Sequence, residues 1–191
     1  RGLSNRTVDA LHKALNIALN TAVKQGTLKR NILDSVIAPK VVKKEVEVWG
    51  AEMRAKAMTI LKKSQYGDFY QLGLMTGMRR GELAGLKWAN VNLTNQQLQV
   101  VNTLQRITGQ GLVNGQPKTE RSRRSIALST DTVALLHEIR GKQMTQQLEV
   151  VDAWTDSGYV FTDASGMPVD PNLATRAFKK VVATAGLPKL T

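Results

Sequence analysis

An α+β fold dominated by helices, with one small antiparallel β-sheet packed on them and a short all-helical stretch in front, is what this sequence predicts. Three observations carry that reading. Apolar residues recur at three- and four-residue spacing in several separate segments. Runs rich in β-formers are few, short and joined by turn residues. The chain of 191 residues and 21.0 kDa is 42% hydrophobic and 22% charged, an ordinary globular composition that buries about 70% of the unfolded surface.

Ser4 or Asn5 opens the first helix, with Val8, Leu11, Leu15, Ala18, Leu19, Ala22 and Val23 along one stripe and Gly26 as its stop. A short segment from Asn31 to Ile37 ends at Pro39. About forty residues cannot bury a core alone, so residues 1–38 read as the closing helices of a larger domain. Residues 39–47 alternate in charge without a helical stripe and read as a linker. A second domain spans 48–191. Met53, Ala57, Ile60 and Leu61 mark one helix; Phe69, Leu72 and Thr76 mark another, ended by Gly77; and Glu82, Leu83 and Leu86 mark a short third, closed off by Val91 and Leu93. Leu98–Ile107 and Ser125–Leu128 read as strands. The glycine-rich stretch between them, with no apolar alternation, predicts a long, loosely held hairpin tip over 109–115. Ser129 caps a helix carrying Val133, Leu136 and Ile139. Gly158–Thr162 reads as a strand, 163–166 as a turn, and Asn172 as the cap of a last helix ended by Gly186.

Charge narrows the function classes. Lysine and arginine number 27 against 15 acidic residues, a net +12, and residues 1–145 carry all of the excess. Such a surplus favours a polyanionic partner, nucleic acid first. An aromatic content of 5% argues against a base-stacking single-strand binder. Without cysteine there is no disulfide framework, thiolate metal site or Cys nucleophile, and two isolated histidines, His12 and His137, argue against a His-built metal centre or triad. No apolar run approaches the ~18 residues of a membrane helix. The chain begins without Met and lacks a signal pattern, which reads as a piece of a longer protein.

The most informative stretch is Thr76-Gly-Met-Arg-Arg-Gly-Glu-Leu-Ala-Gly-Leu-Lys-Trp-Ala-Asn-Val-Asn-Leu93. It places the Arg79 guanidinium where one helix ends and the next begins. Gly77 and Gly81 allow close approach of backbone or a partner. Glu82, three residues on, is spaced to hold Arg79 in one rotamer. A planar fork of fixed orientation suits a phosphodiester, while an ordinary surface ion pair has the same spacing. Gly109-x-Gly111 is no phosphate loop, because no Gly-Lys-Ser/Thr or helix follows it. Tyr66, Tyr70 and Tyr159, like Trp49, Trp88 and Trp154, read as packing residues.

This stretch resembles the first arginine box of the tyrosine recombinases, the phage-type integrases. Pro117–Ser129 resembles their β-hairpin segment, 158–170 and the ending "AGLPKLT" resemble the approach to their second box, and residues 3–31 resemble the end of their core-binding domain. The resemblance implies the tyrosine recombinase catalytic-domain fold over 48–191, behind the end of a SAM-like core-binding domain. It assigns Arg79 as a catalytic arginine, Lys118 as the hairpin lysine that protonates the leaving 5′-oxygen, and Glu82 as support. Arg80, Lys87, Arg121, Arg123 and Arg124 are read as DNA contacts, though Arg121, Arg123 and Arg124 would look the same on a merely solvated hairpin. The implied chemistry is site-specific cleavage and rejoining of double-stranded DNA through a 3′-phosphotyrosine, without metal or nucleotide cofactor. Its setting is a homotetramer in the bacterial cytoplasm, with DNA-bending or directionality proteins as further partners. The family's His-x-x-Arg box and nucleophilic tyrosine follow segments like "GLPKLT", so this chain is expected to bind DNA without cutting it. A non-catalytic DNA-binding protein on the same scaffold and a type IB topoisomerase remain alternatives.

Overall fold

Helix caps set the first boundaries. In the computed structural model, which describes residues 2–42, 48–115 and 123–188, two compact units divide the chain, Arg1–Glu47 and Val48–Thr191. In the first unit α1 spans Asn5–Lys24. The Ser4 hydroxyl accepts from the Thr7 N–H, and Gly26, at φ 74°, lets the chain leave the helix. A 3₁₀ turn over Ile32–Ser35 is capped by Asn31, whose amide also donates to Asn16 and Asn20 on α1. The N-terminal part of the α1 apolar stripe is uncovered: Leu11 and Leu15 are 50% and 56% exposed, whereas Leu19, Ala22 and Val23 are half-buried. Most of the linker read at 39–47 falls outside the described residues.

The second unit holds the core. Helices α2 (Ala51–Leu61) and α3 (Gly67–Thr76) pack Ala57, Leu61, Phe69 and Leu72 inward. Gly77 takes φ 64° and stops α3, as its position after the stripe predicts. Helix α4 covers Arg80–Ala84, so it opens one residue before Gly81 and leaves Leu86 beyond its end. Strands β1 (Val91–Asn92), β2 (Gln97–Val100), β3 (Thr103–Ile107), β4 (Gly111–Gly115) and β5 (Arg124–Ala127) follow. Helices α5 (Thr130–Glu149) and α6 (Pro171–Thr184) complete the unit. Among the described residues no helix is long and apolar enough to cross a membrane.

The helix-rich α+β class holds, with five corrections to the elements. Among the described residues there are two sheets, not one: an antiparallel three-stranded sheet ordered β1-β2-β5 and a separate β3–β4 hairpin. The run read as one strand over 98–107 breaks at Val101–Asn102, between β2 and β3. The reading of 109–115 as a loose tip is also overturned: Gly111–Gly115 pairs residue for residue with β3, and the turn is only Thr108–Gln110. Gly158–Thr162 forms single bridges instead of a strand, Lys87 to Tyr159 and Thr162 to Pro168. Proline has no N–H with which to extend that ladder. Finally, Asp170, not Asn172, caps α6, because Pro171 occupies the first helical position.

Glycines decide how α4 meets the hairpin. A Cβ on Gly85 would lie 2.9–3.0 Å from the backbone of Thr103 and Leu104, and one on Gly81 would lie 3.2 Å from the Leu104 carbonyl. Helix and strand therefore touch backbone to backbone. The close approach expected at Gly81 is made by the backbone of β3 in the same chain, not by a partner.

Candidate functional site

Arg79 sits at the N-cap of α4 with extended backbone (φ −67°, ψ 150°). Arginine has no side-chain acceptor, so it cannot cap the helix itself. Glu82, three residues on, folds back and supplies the other half of a capping box: its Oε2 accepts from the Arg79 N–H at 2.9 Å. The same carboxylate accepts from Arg79 Nη1 through Oε1, also at 2.9 Å. One residue thus holds both the backbone and the guanidinium of Arg79. Glu82 is buried at 3% exposure, whereas the Arg79 side chain is 73% exposed.

A second guanidinium reaches Glu82 from far along the chain. Arg124 opens β5 opposite Val100, and its Nη1 and Nη2 donate to Oε1 and Oε2 at 3.1 and 2.8 Å. Burial pushes the Glu82 carboxyl up, but hydrogen bonds from Arg124, the Arg79 N–H and the Arg79 side chain outweigh it and bring the group down to about 2. The hydrogen bonds to Glu82 in turn raise Arg124. The cluster therefore carries two fixed positive charges on one fixed negative charge. Reading Arg124 only as a backbone-gripping member of a basic run misses this role. No local spacing could reveal it, since the partners lie 42 residues apart.

The remaining candidates separate. Arg80 is exposed and donates to the Thr175 hydroxyl on α6 at 3.0 Å. Lys87 lies over the Tyr159 ring, 4.8 Å from its centroid. Arg123 is exposed just before β5. Lys118 and Arg121 fall outside the described residues. Tyr70 is buried, donates its hydroxyl to the Ala174 carbonyl at 2.7 Å, and is pushed up to about 12, chiefly by burial. Tyr159 is likewise buried and raised. Trp49 and Trp88 pack against the core as expected: Trp49 stacks on Phe178, and Trp88 donates to Gln143 at 2.7 Å.

A second charged contact was not legible as a site. Arg106 on β3 is paired with the buried Asp170, which also accepts from the Asn172 N–H at 2.8 Å. Both residues line a cavity of about 570 Å³ with Lys142, Gln143 and Thr162. Half of this pair did have a signal: an aspartate directly before a proline is a helix-start signature.

The chain and its fold are similar to known proteins. A model of the phage integrase family matches residues 43–191. The tyrosine recombinase XerC-like protein of Caldanaerobacter subterraneus is 27% identical over 205 residues, covering 98% of this chain and 52% of that protein. The ICEBs1 integrase of Bacillus subtilis is 29% identical over 149 residues, 77% of this chain and 40% of its own. The chain spans about half the length of the curated relatives it matches. Among solved structures, the Tn1549 transposon integrase in complex with circular intermediate DNA superimposes with a TM-score of 0.78 at 19% identity, over 100% of this chain and 63% of that one. A lambda integrase dimer bound to a core site gives 0.63 at 16%, over 97% and 58%. At such identities the structures show a shared fold, and the family match covers most of the sequence. This chain belongs to the phage integrase family.

Proposed function

We propose that the chain is part of an enzyme that cleaves and rejoins double-stranded DNA at specific sites. Residues 1–38 end a core-binding domain, 39–47 link, and 48–191 form the first portion of a catalytic domain. A tyrosine oxygen from outside these residues attacks phosphorus and the 5′-oxygen leaves, giving a 3′-phosphotyrosine and a 5′-hydroxyl; attack by a partner strand's 5′-hydroxyl reverses the step. Tyr70 is unsuited to that attack, with its hydroxyl buried on a carbonyl. Arg79 stabilises the non-bridging oxygens, and Lys118 gives the departing oxygen its proton. Arg80, Lys87, Arg121 and Arg123 contact the DNA backbone. The chemistry uses no metal or nucleotide cofactor. The working assembly is a homotetramer on two DNA sites in the bacterial cytoplasm, with accessory DNA-bending proteins.

The observation that carries this reading is the Arg79 guanidinium, held at a helix N-cap by a buried carboxylate while 73% of its side chain faces outward. A donor fork held in advance is what a phosphoryl transition state requires, because that reaction is mostly positioning and charge neutralisation.

The test is single-turnover cleavage by the full-length protein on sites with oxygen or sulfur at the bridging 5′ position. Lys118→Ala is expected to slow cleavage by roughly 10²–10⁴ on oxygen. A thiolate leaving group, with a pKa near 8.5 by analogy with cysteine, needs no proton and should remove most of that defect. Arg79→Ala should lose roughly 10²–10³ on both substrates. Equal rescue of both variants, or of neither, overturns the assignment. Absence of any covalent adduct with the unaltered protein points instead to a DNA-binding protein without catalysis.

A further inference from the structure

We infer that Arg124 is a positioning residue: it supplies the charge that satisfies Glu82, so that the charge of Arg79 stays available for a DNA phosphate. The inference rests on the reading of Arg79 given above.

Three features of the cluster point the same way. Arg124 engages both carboxylate oxygens of Glu82, at 3.1 and 2.8 Å, whereas the Arg79 side chain lends it a single N–H at 2.9 Å. A guanidinium has five such donors, so Arg79 keeps most of its fork for an incoming anion. Exposure divides the two in the same sense: Arg124 is 33% exposed and Arg79 is 73% exposed. The inner cation faces the carboxylate, and the outer one faces the surroundings. Lastly, Arg124 is delivered by the β2–β5 ladder, opposite Val100, so its place does not depend on Arg79.

Removing Arg124 has a definite electrostatic consequence. Among the described residues, Glu82 would be left with Arg79 as its only side-chain cation, and the pair would be neutral. A phosphate would then have to compete with a buried carboxylate for the same guanidinium. Such competition is costly, because a buried charge stripped of its partner is strongly destabilising. With Arg124 in place the cluster keeps a net positive charge. Phosphate can bind Arg79 while Glu82 stays paired.

The test is a double-mutant cycle on the 191-residue chain, read as affinity for a fluorescein-labelled duplex of about 20 base pairs at fixed salt. Arg79→Ala should weaken binding by the unaltered chain about tenfold, the size of one charge-assisted contact. In an Arg124→Met background the same change should cost less than about twofold, since Arg79 is then occupied by Glu82. Arg124→Lys should restore part of the effect, retaining charge but not the two-pronged grip. The decisive variant is Arg124→Met with Glu82→Gln. With no carboxylate to satisfy, Arg79 should regain its roughly tenfold contribution. Thermal melting of each variant monitors folding, and restored Arg79 dependence in the double variant itself requires a folded site. If Arg79→Ala still costs about tenfold without Arg124, or if Glu82→Gln restores nothing, Arg124 only packs and the inference falls. If Arg79→Ala changes nothing in the unaltered chain, the reading of Arg79 itself falls, and the inference with it.

Discussion

Glu82 and Asp170 are both buried carboxylates at the start of a helix, and both face arginine, yet they do different work. Glu82 takes four hydrogen bonds from two arginines and sits inside the first turn of α4. Asp170 takes one arginine and one backbone N–H, and caps α6 from outside. The first arrangement leaves a positive charge over; the second balances. An arginine on a buried carboxylate is therefore no sign of an anion site by itself. The count of cations per carboxylate and the exposure of the outer guanidinium separate a site from a brace.

Removing the carboxylates should have the largest effects. Glu82→Ala should destabilise the second unit by about 3–5 kcal/mol, because Arg124 is left partly buried without its partner and the N-cap N–H of α4 loses its acceptor. Asp170→Ala should cost about 2 kcal/mol, from a lost cap and a half-exposed ion pair. Urea unfolding of both variants gives the contrast, and equal costs would erase the distinction.

Acid sharpens it. The folded Glu82 carboxyl titrates near 2 against an ordinary 4.5, so its contribution is fully present above about pH 4.5 and lost as pH falls through 2. Urea midpoints between pH 5 and 2 should fall steeply for the unaltered chain and less for Glu82→Gln. Parallel curves would mean that Glu82 is not the group responsible. A smaller effect separates cap from ion pair at α6. Asp170→Asn keeps a capping oxygen and loses only the charge, so it should be about 1 kcal/mol more stable than Asp170→Ala. Smallest of all, Lys142→Ala should change stability by less than about 0.5 kcal/mol, because its 2.7 Å pair with Asp68 is solvent-facing.

Local chemistry made much of the fold legible. Ser4, Gly26, Gly77 and Ser129 each act at the helix boundary their residue type predicts, because a cap needs only its own few neighbours. What local patterns could not show was pairing. Leu98, Val100 and Leu104 share one alternation, and all three are buried, so nothing in their spacing marks the break between two sheets at Val101–Asn102. The glycines of 109–115 read as looseness, yet Gly111 and Gly115 sit within a regular ladder with β3. At the site, the Arg79–Glu82 contact was readable because three residues along a helix start are neighbours. The grip of Arg124 on Glu82 was not, because only the folding of β5 against β2 creates it.

The contact between α4 and β3 through Gly81 and Gly85 bears on how freely this protein can diverge. Two surfaces that meet as bare main chain place almost no demand on side chains, so the exposed Gln105 and Ile107 are open to replacement without moving the arginine at the helix start, whereas Arg106 between them is tied to Asp170. The hairpin behaves as an exchangeable part on a standard mount. Exposed positions outside the Arg106–Asp170 pair are free to be rewritten, while the two glycines of the mount are the positions where even a methyl group would push the whole assembly out of line.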